Sequence, residues 1–231
     1  MCKKKKTGQK AFCSTGSMLL LILLTFILSA CTQSMYSVDM RYEPTAALNP
    51  DNTGNGKGGL TVAVFEDLRA SQDKIKIGHV ITVGGKSIPV APKYKTPQDV
   101  VTLGFKEYFS KSGFTVSGGK PGWDLREASI QPGWGSVVVG GTIDELEVLC
   151  RDEFPIKKYR TTVKLTVVFA DVEKKQVLFR TSTQSTASLE HVLFSEKRMQ
   201  DLLNETLSDA IAKVFEEGKM ERKILDAMKK K

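Results

Sequence analysis

The chain has 231 residues, 41% of them hydrophobic, with 34 Lys and Arg, 26 Asp and Glu, four Cys and two His. That length suits one domain with appendages, and that apolar content excludes wholesale disorder. The formal charge of +8 invites a nucleic-acid reading, but five of the bases lie in the first 30 residues, which hold no acid, and the remainder carries 29 bases against 26 acids.

The five early bases are Lys3, Lys4, Lys5, Lys6 and Lys10, and they precede an apolar stretch from Met18 to Leu28. Eleven residues of helix reach only about 16 Å, against a hydrocarbon core of about 30 Å, so this is the apolar region of an export signal and not a membrane span. The stretch closes on Leu28-Ser29-Ala30-Cys31, small residues followed at once by a thiol. This tetrapeptide resembles the lipobox of bacterial lipoproteins. The resemblance implies cleavage between Ala30 and Cys31, a diacylglyceryl group on the Cys31 sulfur, acylation of the freed amine, and a membrane as partner through that lipid. Several acyl chains anchor stably where one does not. Thr32 in place of Asp after the cysteine implies, by the sorting rule of Gram-negative lipoproteins, an outer-membrane address facing the periplasm. The alternative is an ordinary secretory signal with an incidental cysteine.

Cysteine usage follows. Cys2 and Cys13 leave with the signal and Cys31 is lipidated, so Cys150 stands alone and the mature chain forms no internal disulfide. Cys150 is either a reactive thiol or a small buried hydrophobe at a strand end.

Residues 31–59 read as a lipidated N-terminus and flexible tether, because Pro44, Pro50 and the run from Asn49 to Gly59 are turn and linker chemistry. A domain over residues 60–217 then starts at Leu60-Thr61-Val62-Ala63-Val64-Phe65, a β-branched-rich strand running into Glu66-Asp67-Leu68-Arg69. Ile75 to Val90, broken by Gly78, Gly84-Gly85 and Pro89, predicts a short hairpin or an edge excursion. Thr96-Pro97-Gln98-Asp99 opens a helix with an N-cap hydroxyl, Pro in the first turn and an acid beside it. It stops near Gly113, and Phe114-Thr115-Val116 returns as a brief strand.

Gly118 to Gly135 reads as a loop with one helical turn near Leu125 to Ile130. Three longer strands follow: Val137 to about Leu149, with Gly140-Gly141 marking a bulge or close crossing; Tyr159 to Phe169, apolar on one face; and Val177 to Ser188, with Val177 and Phe179 inward. Ser195 to Glu217 is a helix with an apolar stripe at i, i+3, i+4 spacing, and 218–231 is a charged tail. Strand, hairpin, helix and meander imply an α+β fold, a mixed and mainly antiparallel sheet with two main helices packed on one face.

Motifs that suggest chemistry fail on context. Gly54-x-Gly56-x-x-Gly59 precedes a strand and not a helix, so it lacks the helix N-terminus that a dinucleotide needs. Gly85-Lys86-Ser87 is followed by Ile88-Pro89, which blocks a phosphate-loop helix. His79 and His191 stand in no metal-ligand spacing and no Gly-x-Ser-x-Gly elbow occurs, so no cofactor, no metal site and no catalytic residue is expected. Asp144, Glu145, Glu147, Asp152 and Glu153 form an acidic run that binds a cation or a basic partner, or is simply a solvated strand face. Trp123 and Trp134, in Gly/Pro-rich sequence, either cap the core under a long loop or form an apolar docking patch; they are the candidate partner contacts.

Residues 60–217 resemble the YajG-like family of small bacterial lipoproteins. The resemblance rests on the lipobox, the first strand closing in Asp67-Leu68-Arg69, Ile77-Gly78, the helix ending Phe109-x-x-x-Gly113-Phe114-x-Val116, the strand Val139-Gly140-Gly141-Thr142-Ile143, and the C-terminal helix. It implies a location and a fold but no reaction. The expectation is a lipid-anchored, non-enzymatic envelope lipoprotein that docks onto or assists assembly of another envelope protein. The alternative is a periplasmic-face domain holding a lipid, glycan or peptide between sheet and helices. An enzyme built on His191, an acid and a serine is third.

Overall fold

Alternation of apolar and polar residues at period two dominates the second half of the chain, and the sheet is built around it. The computed structural model describes residues 34–44 and 59–215, with Ile224 and Ala227. The signal segment with Ala30 and Cys31, residues 45–58 and most of the tail lie outside the described residues. In chain order the elements are β1 (Tyr36–Val38), β2 (Leu60–Val62), β3 (Glu66–Asp67), β4 (Gly78–Ile81), β5 (Ser87–Pro92), α1 (Pro97–Lys111), a 3-10 turn (Glu127–Ser129), β6 (Val137–Glu153), β7 (Ile156–Asp171), β8 (Gln176–His191) and α2 (Glu196–Lys213).

One mixed sheet holds all eight strands in the order β1-β5-β4-β6-β7-β8. β6, β7 and β8 form the antiparallel meander, paired along nearly their whole length. The other side of β6 is shared: β2 pairs in parallel with Val137 to Val139, β3 with Thr142 and Ile143, and β4 with Val148 to Arg151. β4 and β5 form the expected hairpin, and Gly85 takes the left-handed conformation in its turn (φ 76°).

Both helices cover one face, as the apolar stripes require. Thr96 Oγ1 accepts the Asp99 N–H at the start of α1, and Pro97 occupies its first turn. α2 buries Met199, Leu203, Leu207 and Ile211, spaced by one turn, against Val163, Leu165 and Tyr159. Phe65 stacks on Phe105 at 4.8 Å between centroids, and Phe109 meets Phe169 and Phe215 edge to face.

The N-terminal boundary differs from the sequence expectation. Residues 36–43, which the composition assigned to the tether, belong to the domain. β1 pairs in parallel with β5, and Val38, Met40 and Tyr42 are buried at alternate positions. Beyond β1 the amides of Asp39, Arg41 and Glu43 donate to Gln200 Oε1 (3.0 Å), Asn204 Oδ1 (3.1 Å) and Ser208 Oγ (2.8 Å) of α2. Two residues of extended chain advance about 6.6 Å and four residues of helix about 6 Å, so every second amide meets every fourth helical side chain. The alternation in this segment is short, and its partners lie about 160 residues away.

Three further departures are local. Phe114 to Val116 makes one parallel bridge, Val116 to Leu60, instead of a strand. The irregularity in β6 falls at Asp144, between Ile143 and Glu145, and not at the glycine pair. There the glycines serve close approach: a Cβ on Gly140 would sit 2.8 Å from Trp123, and one on Gly141 2.5 Å from Phe65 on the opposite face. A register shift opposite Phe169 and Ala170 turns Val177 toward the helix-free face, while Phe179 packs on the helix side.

Candidate functional site

The sequence places its chemistry at Cys31, at two tryptophans, at an acidic run and at a lone thiol. Ala30 and Cys31 lie outside the described residues. The structure places the rest as follows.

Trp123 is part of a second, smaller core. With Ala63, Ile130, Val138, Val168, Ala170 and Val172 it fills the lower part of the helix-free face, and Leu125 and Trp134 pack against the edge of that cluster. Trp123 is 7% exposed and its Nε1–H donates to the Arg126 carbonyl at 3.0 Å. A buried ring with its donor satisfied offers no docking patch; of the two sequence readings, the cap over the core is the one this geometry fits. Trp134 is half-buried beside it. The loop is held down by Lys106, whose ammonium donates to the carbonyls of Ser117, Gly118 and Gly119, and by Glu127 Oε1, which accepts the Val177 N–H at 2.7 Å.

The acidic run does not converge. Asp144, at the bulge, accepts the hydroxyls of Thr142 (2.7 Å) and Thr166 (2.6 Å). Asp152 and Glu153 sit at the far end of β6, paired with Lys157 and Lys158 across the hairpin. Among the described residues no group of three or more His, Cys, Asp or Glu could hold a metal ion.

Cys150 is buried on the helix side opposite Tyr159. Burial, helped by the charge of Asp152, pushes its thiol up to about 11, so it is protonated at neutral pH and inert as a nucleophile. Tyr159 accepts the Ser195 N–H at 2.9 Å with its hydroxyl, which fixes the start of α2. His191 is engaged locally, its Nδ1 accepting the Leu193 N–H at 3.0 Å, and His79 lies exposed on β4.

The most developed polar arrangement is one the sequence quoted only as the end of a strand. Between β3 and β4 the edge of β6 loses its partner, at the bulge around Asp144. Arg69 fills the gap. Its Nε and Nη2 form a fork on Asp67 (2.9 and 2.7 Å), and its remaining donors reach the carbonyls of Lys74 (2.6 Å), Lys76 (3.0 Å) and Leu146 (3.4 Å). The two side chains are 5% and 4% exposed. Burial alone would raise the Asp67 carboxyl; the hydrogen bonds and charge of Arg69 outweigh it and hold the group below the usual carboxylate range. All five N–H groups of the guanidinium are engaged, so Arg69 is a clamp joining three segments and not an anion receptor.

Outside this clamp lies an open groove of about 430 Å³, rimmed by Lys76, His79, Asp144, Glu145 and Glu147. Between sheet and helices, where the alternative reading puts a captured ligand, the phenylalanines pack ring to ring. No helix among the described residues is long and apolar enough to cross a membrane.

Fold and surface define an α+β domain whose open mixed sheet carries both helices on one face. No protein-family model matches the chain, and no curated protein sequence matches it. Its fold is similar to that of protein XCC0632 from Xanthomonas campestris, of the family described as DUF330: 12% identity, TM-score 0.52, covering 84% of this chain and 98% of that one. More distant likenesses are a homolog of neuraminyllactose-binding hemagglutinin from Helicobacter pylori (10% identity, TM-score 0.46, 82% and 97% covered) and lipoprotein GNA1162 from Neisseria meningitidis (13%, 0.39, 68% and 98%).

Proposed function

We propose that the protein is a lipid-anchored envelope lipoprotein of the YajG-like kind, exported and held at the outer membrane facing the periplasm, which acts without catalysis by docking onto another envelope protein. The observation that carries the reading is Leu28-Ser29-Ala30-Cys31 behind a basic and then apolar leader. The compact unit that holds the sheet begins at Met35, four positions along the chain from Cys31.

The docking surface is better sought on β8 than at the tryptophans. β8 is the last strand of the sheet, and no described strand pairs with its outer side. Its central run, Thr181-Ser182-Thr183-Gln184-Ser185-Thr186-Ala187-Ser188, holds no charge and no proline, the residues that ordinarily blunt an edge. Such an edge accepts an added strand.

Replacing Cys31 with Ala should release the protein from membranes; a variant that still fractionates there refutes the anchor. A photo-crosslinking residue at Gln184 should capture an envelope protein in intact cells, whereas the same residue at exposed Ser110 on α1 should not. Equal capture from both positions sinks the edge. The groove beside Arg69 supports a second reading, a ligand-binding domain, and native mass spectrometry with a reproducible small-molecule adduct would favour it.

A further inference from the structure

We infer that the end of the sheet carrying the β4–β5 and β6–β7 turns rests on a lipid bilayer, at the boundary of headgroups and acyl chains. The inference deepens the anchoring reading and rests on it.

Nine large hydrophobic side chains are exposed among the described residues, and six of them gather at this one end: Met35, Val83, Phe154, Leu189, Val192 and Leu193. The register shows that four of them share a level, with Leu189 and Met35 set back along the strands. Ile81, which leads into the β4–β5 turn, pairs with Arg151, just before the β6–β7 turn, and Lys157, just after it, pairs with His191 at the end of β8. Val83 (65% exposed), Phe154 (86%), Val192 (61%) and Leu193 (66%) therefore project from three neighbouring turns. At about 4.8 Å per strand, the row from β5 to β8 is about 19 Å wide.

The turn at the opposite end is of ordinary solvent-facing chemistry: Glu173, Lys174 and Lys175 join β7 to β8 and are all exposed. Water imposes no apolar residues on turns, and one exposed side chain needs no explanation. A level row of them, next to exposed Lys86 and Arg151, fits a surface that is apolar below and anionic at its boundary.

The path of the chain selects the occupant. β5 starts at this end, since Ser87 pairs with Ile81, and β1 runs parallel to β5, so the chain enters β1 from the same end. Three residues, and so four Cα steps, separate Cys31 from Met35, a reach of at most about 14 Å. The covalent tie thus holds a lipid on Cys31 within that reach of Met35, and β1 is entered from the end of the sheet that carries the apolar turns. With the turns on the bilayer, the strands stand off it, and β6 carries the domain about 55 Å outward.

The test uses the full, processed protein extracted from bacterial membranes and reconstituted in vesicles of phosphatidylethanolamine and phosphatidylglycerol. Phe154→Cys and Glu173→Cys, both at exposed positions, each receive a nitroxide, whose collisions with oxygen and with a water-soluble nickel chelate are measured. At 154 oxygen collisions should exceed nickel collisions; at 173 the order should reverse. A lipidated protein with the aqueous order at both positions overturns the membrane contact alone. An intact mass without the diacylglyceryl group overturns the anchor and the contact with it. Thermal midpoints equal to wild type show that both labelled variants are folded.

Discussion

Removing the guanidinium of Arg69 is the sharpest test of how the sheet is held where β6 changes partners. Arg69→Ala leaves the Asp67 carboxylate buried without its fork and withdraws donors from the carbonyls of Lys74, Lys76 and Leu146. Breaking a buried ion pair from one side costs about 3–5 kcal/mol, because the remaining charge stays desolvated. With a urea dependence of about 2.5 kcal/mol per molar, the unfolding midpoint should fall by roughly 1.2–2 M. Asp67→Leu with Arg69→Met together should recover much of that loss, since neither charge is then left buried. The pH dependence has a definite sign. The folded Asp67 carboxyl is held below its unfolded value, so its contribution is present above the usual carboxylate range and is lost as pH falls through the folded pKa. In Arg69→Ala burial raises the same carboxyl instead, so the gap between wild type and variant should narrow steadily as pH falls from 7 to 3. A midpoint shift under about 0.4 M, or a gap that stays constant from pH 7 to pH 3, would refute the clamp.

Other outcomes follow from the same geometry. Gly140→Val drives methyl groups into Trp123, where even a Cβ comes within 2.8 Å, and should cost about 1–3 kcal/mol in thermal unfolding; Gly84→Ala, with nothing within 4 Å, should cost little. Native Cys150 should resist iodoacetamide at pH 8 and react once urea unfolds the chain, because its thiol is buried and pushed up to about 11; prompt native labelling would contradict this. Asn204→Leu removes the side chain that accepts from Arg41 and donates to the Asp39 carbonyl, and should cost about 1–3 kcal/mol. It should speed hydrogen exchange in residues 36–43 while β6 and β7 stay protected, and uniform acceleration would show that the segment is not attached through α2.

What the sequence disclosed depended on whether a residue's partner was near it in the chain. α1, α2 and the meander were legible because their signals are local: a Thr cap with Pro beside it, a stripe at helical spacing, alternation over a dozen residues. β1 was not, although Val38, Met40 and Tyr42 alternate with Asp39, Arg41 and Glu43, because its partners in α2 lie about 160 residues away and a linker-like run follows it. The role of Arg69 was hidden for a similar reason. Asp67-x-Arg69 is visible, but the gap it fills is created by β6, some 75 residues on. The glycine pair was read as a bulge or a close approach, and only the structure decides between them, with one glycine yielding to Trp123 and the next to Phe65. For the tryptophans the loop composition left both a cap over the core and a docking patch open, and only the structure shows that Gly140 and Ala63 leave room for Trp123 to turn in. The apolar turns escaped notice since Val83, Phe154 and Leu193 are far apart in sequence and share a level only through the register.

The ladder between residues 39–43 and α2 also bears on the order in which the protein completes itself. A chain leaves the ribosome N-terminus first, and residues 39–43 take their side-chain acceptors from Gln200, Asn204 and Ser208, which emerge about 160 residues later. Until α2 is available, those amides have no side-chain acceptor in the domain. The fold is thereby closed by joining its two ends, so a partly emerged chain holds the central strands but not the finished domain. Such a chain remains incomplete, and open to any machinery that must handle it unfolded, until α2 has been delivered.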